Sequence, residues 1–169
     1  MTSEIYLVAE ALPGAVFIMP CPAGDLALAM RDYRAAGVER VVSMLTEDEA
    51  RQLQLEEEAR YCRDAGMAFE TFGIADFGVP DVARFDPFLH ALAARVAGRA
   101  RVAVHCRAGI GRSGLVVSGL LMALGQTAGV AVDQVSRARG VSVPETVEQR
   151  QFLDALELRL QGKRGQALV

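Results

Sequence analysis

The sequence predicts a single α/β domain built on a central, mostly parallel sheet with helices on both faces. Three observations carry that expectation. Short apolar runs alternate with longer helical patterns from one end of the chain to the other. Strands separated by helices favour parallel βαβ connections, which place helices on both sides of a sheet. Finally, 169 residues with 51% apolar and 23% charged side chains are enough to bury one sizeable core and argue against a disordered chain.

Residues 15–19 (AVFIM) read as the first strand and residues 25–36 as a helix closed by Gly37. Residues 38–45 (VERVVSML) read as the next strand. The charged stretch 47–65 reads as one helix with Gly66 at its C-cap, and its Glu56, Glu57 and Glu58 read as a solvated face. Residues 67–74 are a third strand. Over 80–97, Phe85, Phe88, Leu89, Leu92 and Val96 fall on one helical face. A short β-rich run at 101–105 precedes an almost wholly apolar helix at 113–124, and helices at 132–139 and 144–161 finish the pattern. No repeat, linker or low-complexity segment interrupts it. The expected domain is 1–162, with a segment 1–24 to which the sequence assigns no role and a flexible tail at 163–169.

Eighteen basic against twenty-one acidic residues give a net charge of −3, so nucleic acid and anionic membrane are not expected partners. Three cysteines (Cys21, Cys62, Cys106) and two histidines (His90, His105) are too few for a closed structural zinc site, and an odd cysteine count does not suggest a disulfide scaffold. No metal and no cofactor is expected. The first basic residue is Arg31, so no secretory signal is read, and the apolar run at 15–19 is too short to cross a bilayer. Reduced thiols suggest a cytoplasmic setting. Seventeen of the eighteen basic residues are arginine, which suggests a GC-rich bacterial coding bias.

The informative segment is 102–114, VAVHCRAGIGRSG: an apolar strand, a glycine-containing loop, then an apolar helix. Ligands of α/β sheets bind at the carboxyl ends of strands. Gly109 and Gly111 allow successive amides to turn inward as an anion cradle, and the following helix adds unpaired N–H groups and the positive end of its dipole. Arg112 supplies a planar charged fork that matches phosphate oxygens. Cys106 sits at the mouth. A free thiol with a pKa of ~8.5 is only about 3% thiolate at neutral pH; a helix N-terminus and nearby cations lower it into the range of roughly 3.5–7.5. One geometry therefore binds a phosphate dianion and activates the nucleophile that attacks it. Taken alone, Ser113 reads as an N-cap.

His105-Cys106-x5-Arg112-Ser113 resembles the signature loop of the cysteine-dependent protein tyrosine and dual-specificity phosphatases. The resemblance implies a phosphotyrosine-phosphatase-like fold and a phosphocysteine mechanism. In it Cys106 attacks phosphorus, Arg112 clamps the phosphoryl group with the loop 107–111 (Arg107, Ala108, Gly109, Ile110, Gly111), and Ser113 eases thiolate departure. His105 would hold the loop and help depress the thiol pKa. Residues 74–81, IADFGVPD, resemble the acid loop of small dual-specificity phosphatases, with wording close to the kinase-associated phosphatase subgroup. That match makes Asp76 the general acid, ahead of Asp81 at the next helix start and Asp86 within that helix. Residues 143–152, VPETVEQRQF, resemble the late glutamine-bearing element of the family. Gln149 matches a glutamine that orients the hydrolytic water or the loop, and Glu145 stands where tyrosine-specific phosphatases carry another glutamine. Read on their own, Pro144 and Glu145 open a helix, with proline at its first position and an acid near the positive end.

In the family the sequence resembles, an arginine-containing turn at this point packs near the cradle; read on their own, Arg137 and Arg139 are cations complementing a solvated helix C-terminus. His90 reads as structural or surface. Cys21 and Cys62 carry no motif, and either is a resolving thiol if folding brings it near Cys106.

The expected function is a metal-independent phosphatase acting on phosphoprotein, at phosphotyrosine and, through a shallow pocket, at phosphoserine and phosphothreonine. Phosphoinositide or RNA 5′-phosphate hydrolysis shares the loop chemistry, although the loop carries Arg107, Ala108 and Ile110 where phosphoinositide enzymes often place lysines. A non-catalytic phospho-binding module and sulfur transfer of the rhodanese kind are the further alternatives. Oligomeric state is not legible.

Overall fold

The computed structural model describes residues 3–10 and 14–166. Five strands form one sheet in the order β1-β2-β5-β3-β4: β1 (Tyr6–Ala9), β2 (Ala15–Met19), β3 (Arg40–Ser43), β4 (Ala68–Thr71) and β5 (Arg101–His105). β1 runs antiparallel to β2 on the edge, and every other pairing is parallel. Among the described residues there are seven helices: α1 (Leu26–Ala35), α2 (Glu47–Gln52), α3 (Glu58–Asp64), α4 (Val82–Ala97), α5 (Gly111–Ala123), α6 (Ala128–Arg139) and α7 (Val147–Gln166). The α/β architecture with helices on both faces is the one the sequence predicts.

The two faces follow from the period of two along each strand. Val16, Ile18, Val42, Val102 and Val104 point into a core shared with the helices α4 to α7. Ala15, Phe17, Met19, Val41 and Ala103 point the other way, onto Met30 and Tyr33 of α1 and Cys62 of α3. Central strands buried on both faces lose the alternating polar pattern, which is why β2 and β5 read as continuous apolar runs. Helix α5 is buried from Gly111 to Met122 and is accordingly apolar all round. Met19 of β2 and Ser43 of β3 both stand level with His105 of β5, so three carboxyl ends converge where the β5–α5 loop begins.

Five differences from the sequence reading have physical causes. The stretch 47–65 is two helices: Thr46 and Glu49 close a capping box on α2, Gln54 takes a left-handed φ of 58°, and buried Leu55 turns the chain into α3. Strand β1 is missed because four residues with exposed Leu7 give too short a pattern. Helix α5 begins at Gly111, so Ser113 lies inside it and is not an N-cap. Helix α7 begins at Val147, after Thr146 accepts from the Gln149 N–H, and continues through Gln166. Pro144 and Glu145 therefore precede the helix instead of opening it, and of the expected tail, residues 167–169 lie outside the described residues. Helix α6 also starts earlier than read, at Ala128, where Thr127 accepts from the Val130 N–H. Among the described residues no helix is long and apolar enough to cross a membrane.

Phe85 of α4 is fully buried and meets Phe72 and Phe152 edge-on, with ring centroids 5.9 and 5.3 Å away. Phe85→Ala is expected to cost about 3–5 kcal/mol of stability, read as a lower urea midpoint; a loss under about 1 kcal/mol would contradict this packing.

Candidate active site

The β5–α5 loop is held from outside by its carbonyl groups. The Cys106 carbonyl accepts from His105 Nδ1 at 3.2 Å and the Arg107 carbonyl from the Cys21 N–H at 3.1 Å. Arg139 reaches across from the end of α6 to donate to the Ala108 and Gly109 carbonyls at 3.1 and 3.0 Å, with its guanidinium stacked 4.5 Å over the Tyr6 ring. The Ile110 carbonyl accepts from Gly114, in the first turn of α5. In a trans peptide the next residue's N–H points opposite to the carbonyl. Five carbonyls anchored outward therefore leave the intervening amides free to face an anion. Gly109 adopts φ 67°, and a Cβ there would run into the Met19 carbonyl, so this position requires glycine. No side chain caps α5, which leaves its first amides available to a ligand. The reading of Arg139 as a solvated helix end is thus corrected; Arg137, whose Nε donates to the Asp133 carbonyl, remains on the exposed helix surface.

Arg112 is 1% exposed, yet its charge is fully met. Nη1 and Nη2 donate to the two Glu49 oxygens at 2.7 and 2.8 Å, Nη1 also to the Ile74 carbonyl at 2.8 Å, and Nη2 lies 2.9 Å from Asp76 Oδ1. Burial disfavours the guanidinium charge, but Glu49, Cys106 and Asp76 outweigh it and raise the Arg112 pKa. Burial alone would likewise raise the Glu49 pKa; hydrogen bonds from Arg112 and Thr46 hold it down at about 2. Glu49 is the main residue that sequence reasoning missed. Its T-x-x-E spacing with Thr46 signals only a helix start.

Cys106 and Arg112 line a cavity of about 100 Å³ together with Asp76, Phe77, Arg107, Ala108, Gly111, Glu145 and Gln149. Asp76 thus stands on the cavity. Asp81 instead caps α4, accepting from the Arg84 N–H at 3.0 Å, and Asp86 forms a paired contact with Arg159 at 3.0 Å on both oxygens. Gln149 is fully buried: its Oε1 accepts from the Glu145 and Thr146 N–H groups, and its Nε2 donates to the Gly78 carbonyl at 3.1 Å. It therefore ties the late element to the acid loop. Glu145 is exposed and brings a carboxylate to the cavity. Gly109 and Ile110 do not line the cavity. Ser113 is buried and its hydroxyl has no partner. His105 is buried with Nε2 at 2.9 Å from Glu58, whose 2% exposure overturns the solvated-face reading of that glutamate. His90 is on the surface beside Lys163. Cys62 packs against Met30, and Cys21 lies next to the loop through its N–H. Among the described residues no group of three or more His, Cys, Asp or Glu side chains is disposed to hold a metal ion. What the arrangement offers is a cysteine, an arginine fork and a carboxylate facing one anion-sized space.

A parallel-centred α/β sheet whose Cys-x5-Arg loop runs into a buried helix defines the class of cysteine-dependent tyrosine and dual-specificity phosphatase folds. Residues 9–158 match the family model described as the Swiss Army Knife protein DSP-PTPase phosphatase domain, and the chain belongs to that family. The family is one of cysteine-based phosphatases, which are hydrolases. Human cyclin-dependent kinase inhibitor 3 is 25% identical over 124 residues, covering 72% of this chain, and the match spans 58% of that protein's length. Kinase-associated phosphatase, solved with its catalytic-site cysteine substituted by serine, superposes with a TM-score of 0.85 at 19% identity, over 95% of this chain and 97% of that one. Tk-PTP in its active form gives 0.73 at 27% identity over 94% and 99% of the two chains. PTPMT1 in complex with PI(5)P gives 0.75 at 21% identity over 95% and 98%.

The Glu49–Arg112 pair makes stability depend on pH. A carboxyl whose folded pKa of about 2 lies below its ordinary 4.5 contributes stability that is fully present above pH 4.5 and lost as pH falls toward 2. The stability gap between the wild type and Glu49→Gln, measured by urea denaturation, is expected to close over that window; a gap independent of pH would refute the ion pair.

Proposed function

We propose that this chain is a phosphoprotein phosphatase that hydrolyses phosphotyrosine, and phosphoserine and phosphothreonine as well, through a phosphocysteine intermediate. The observation that carries the reading is the shared cavity: Cys106, Arg112 and Asp76 all line one space of about 100 Å³. The Cys106 thiolate attacks phosphorus in line, forming the S–P bond as the P–O bond to the leaving group breaks. Arg112 and the inward amides of residues 107–111 hold the equatorial oxygens. Without an anion, Asp76 rests on Arg112 at 2.9 Å; a bound phosphoryl group takes that place, and protonated Asp76 gives its proton to the departing oxygen. Asp76 then takes a proton from the attacking water, and the thiolate leaves with the otherwise unpartnered Ser113 hydroxyl easing its departure. Gln149 keeps the acid loop against the late element, and Glu145 borders the water's approach.

The working unit is the single domain 1–162, and its substrates are phosphoproteins. The three cysteines are free, and a thiolate nucleophile works only while reduced, which supports a cytoplasmic setting. The arginine-dominated basic composition supports a bacterial source. A second reading, phosphoinositide hydrolysis, is favoured by one feature, the exposed Arg107 cation at the cavity. A panel of phosphopeptides and inositol phosphates separates the two.

Cys106→Ser is expected to abolish turnover of para-nitrophenyl phosphate in the presence of chelator; full activity in the variant would sink the mechanism. Asp76→Ala is expected to lower kcat by on the order of 10²–10⁴-fold, most for alkyl phosphates, whose leaving groups need the proton most. An unchanged rate would place the acid elsewhere.

A further inference from the structure

Glu58 is the one carboxylate among the described residues that the fold buries almost completely, and nothing in the proposed reaction uses it. The turn between α2 and α3 places it under the sheet, with Oε1 at 2.9 Å from His105 Nε2. The oxygen lies off the line of a regular hydrogen bond, and the contact is an ion pair when the ring carries its second proton. On the opposite side of the ring, Nδ1 stands 3.2 Å from the Cys106 carbonyl oxygen. A carbonyl only accepts, so Nδ1 carries a proton, and Nε2 faces a carboxylate.

A buried carboxylate must meet a cation or share a proton. Glu47, Arg51, Glu56 and Arg84 share the hollow that Glu58 borders, and the groups that feel its charge inside the fold are acids: Tyr33 from α1, Cys62 from α3 and Cys21 in the segment after β2. Burial first, and the Glu58 charge next, raise the pKa of all three, that of Cys62 to about 12, so they stay neutral at neutral pH. Cys106 completes the set on the loop side. Among the described residues, His105 is the basic side chain in ion-pair contact with Glu58.

We propose that Glu58 and His105 form a buried carboxylate–imidazolium pair behind the nucleophile, in which Glu58 is a positioning residue that fixes the ring and presents its positive side to the Cys106 loop. The Glu58 carboxylate lies across the ring from the Cys106 carbonyl, so the loop that carries the nucleophile faces the cationic end of the pair. The same ring holds the first of the five outward carbonyls. Glu58 also borders a hollow of about 580 Å³ between the α2–α3 segment and strands β3 and β4, whose lining shares no residue with the cavity at Cys106. The catalytic consequence rests on the phosphatase reading, but the pair itself is testable without turnover.

The chain has only two histidines, so the ring nitrogens of His105 are directly readable by ¹⁵N NMR against exposed His90. Both His105 nitrogens are expected to be protonated at pH 7; a neutral ring with one bare nitrogen would overturn the proposal. Glu58→Gln is expected to slow alkylation of Cys106 by iodoacetamide about tenfold at pH 6, where the thiolate is the reacting species. Followed on the Cys106 peptide by mass spectrometry, the deficit should close toward pH 9, and Glu58→Asp should recover part of the rate. A deficit of the same size at every pH, or none, would refute the charge role. Where Glu58→Gln does not fold, the wild-type ring spectrum still decides. Normal alkylation behaviour with no phosphatase turnover would remove the phosphatase reading and leave the pair standing.

Discussion

A fully buried guanidinium has to be satisfied on every side, and much of the site follows from how Arg112 meets that demand. Its two nitrogens take both oxygens of Glu49, the Ile74 carbonyl and the Asp76 carboxylate. Those partners come from α2 and from the segment 74–81 after β4. The arginine therefore gathers two otherwise separate pieces of chain around the carboxyl end of β5. The charge is held where water cannot weaken it, and the same fork is aimed at the place a phosphoryl group would occupy.

The loop itself is shaped by an accounting of carbonyl groups. Each carbonyl from Cys106 to Ile110 has a donor outside the cradle: a histidine ring, an amide of the segment after β2, an arginine from α6 and the first turn of α5. Planar peptides convert that outward satisfaction into inward donors. Arg139 and Tyr6 join the β5–α5 loop to the edge strand β1, so an N-terminal segment without a recognisable motif supports that loop. Behind the loop, His105 and Glu58 place a second charged pair in the sheet's other core. Arg107 and Arg112 share a cavity with Cys106 and His105 holds the Cys106 carbonyl, while the chain as a whole carries a net charge of −3. Local potential is set by placement, not by overall composition.

Most of the architecture was legible because it rests on short-range pattern. β2 and β5 match the expected runs residue for residue, and α1 and α4 end within two residues of the expected positions. The misreadings share a cause. A 19-residue charged stretch has no local signal to say that it must break at Gln54, because the break serves contacts with Arg112 and His105 elsewhere in the chain. Glu58 resembled its solvated neighbours Glu56 and Glu57 for the same reason: burial of a carboxylate depends on a partner the local sequence does not contain.

Alternation of apolar residues, the Cys-x5-Arg interval and the acid-loop wording are properties of consecutive residues, and the sequence alone was sufficient for them: an α/β sheet, an anion cradle and a candidate acid at Asp76. Which acid holds the arginine, which arginine holds the loop and which carboxylate backs the histidine were decided only by tertiary structure. Arg112 and Glu49 are 63 positions apart, and Arg139 lies 30 from Gly109. Nothing local encodes such pairings, since the need to satisfy buried charge arises only once the sheet has brought these side chains together and excluded water from between them.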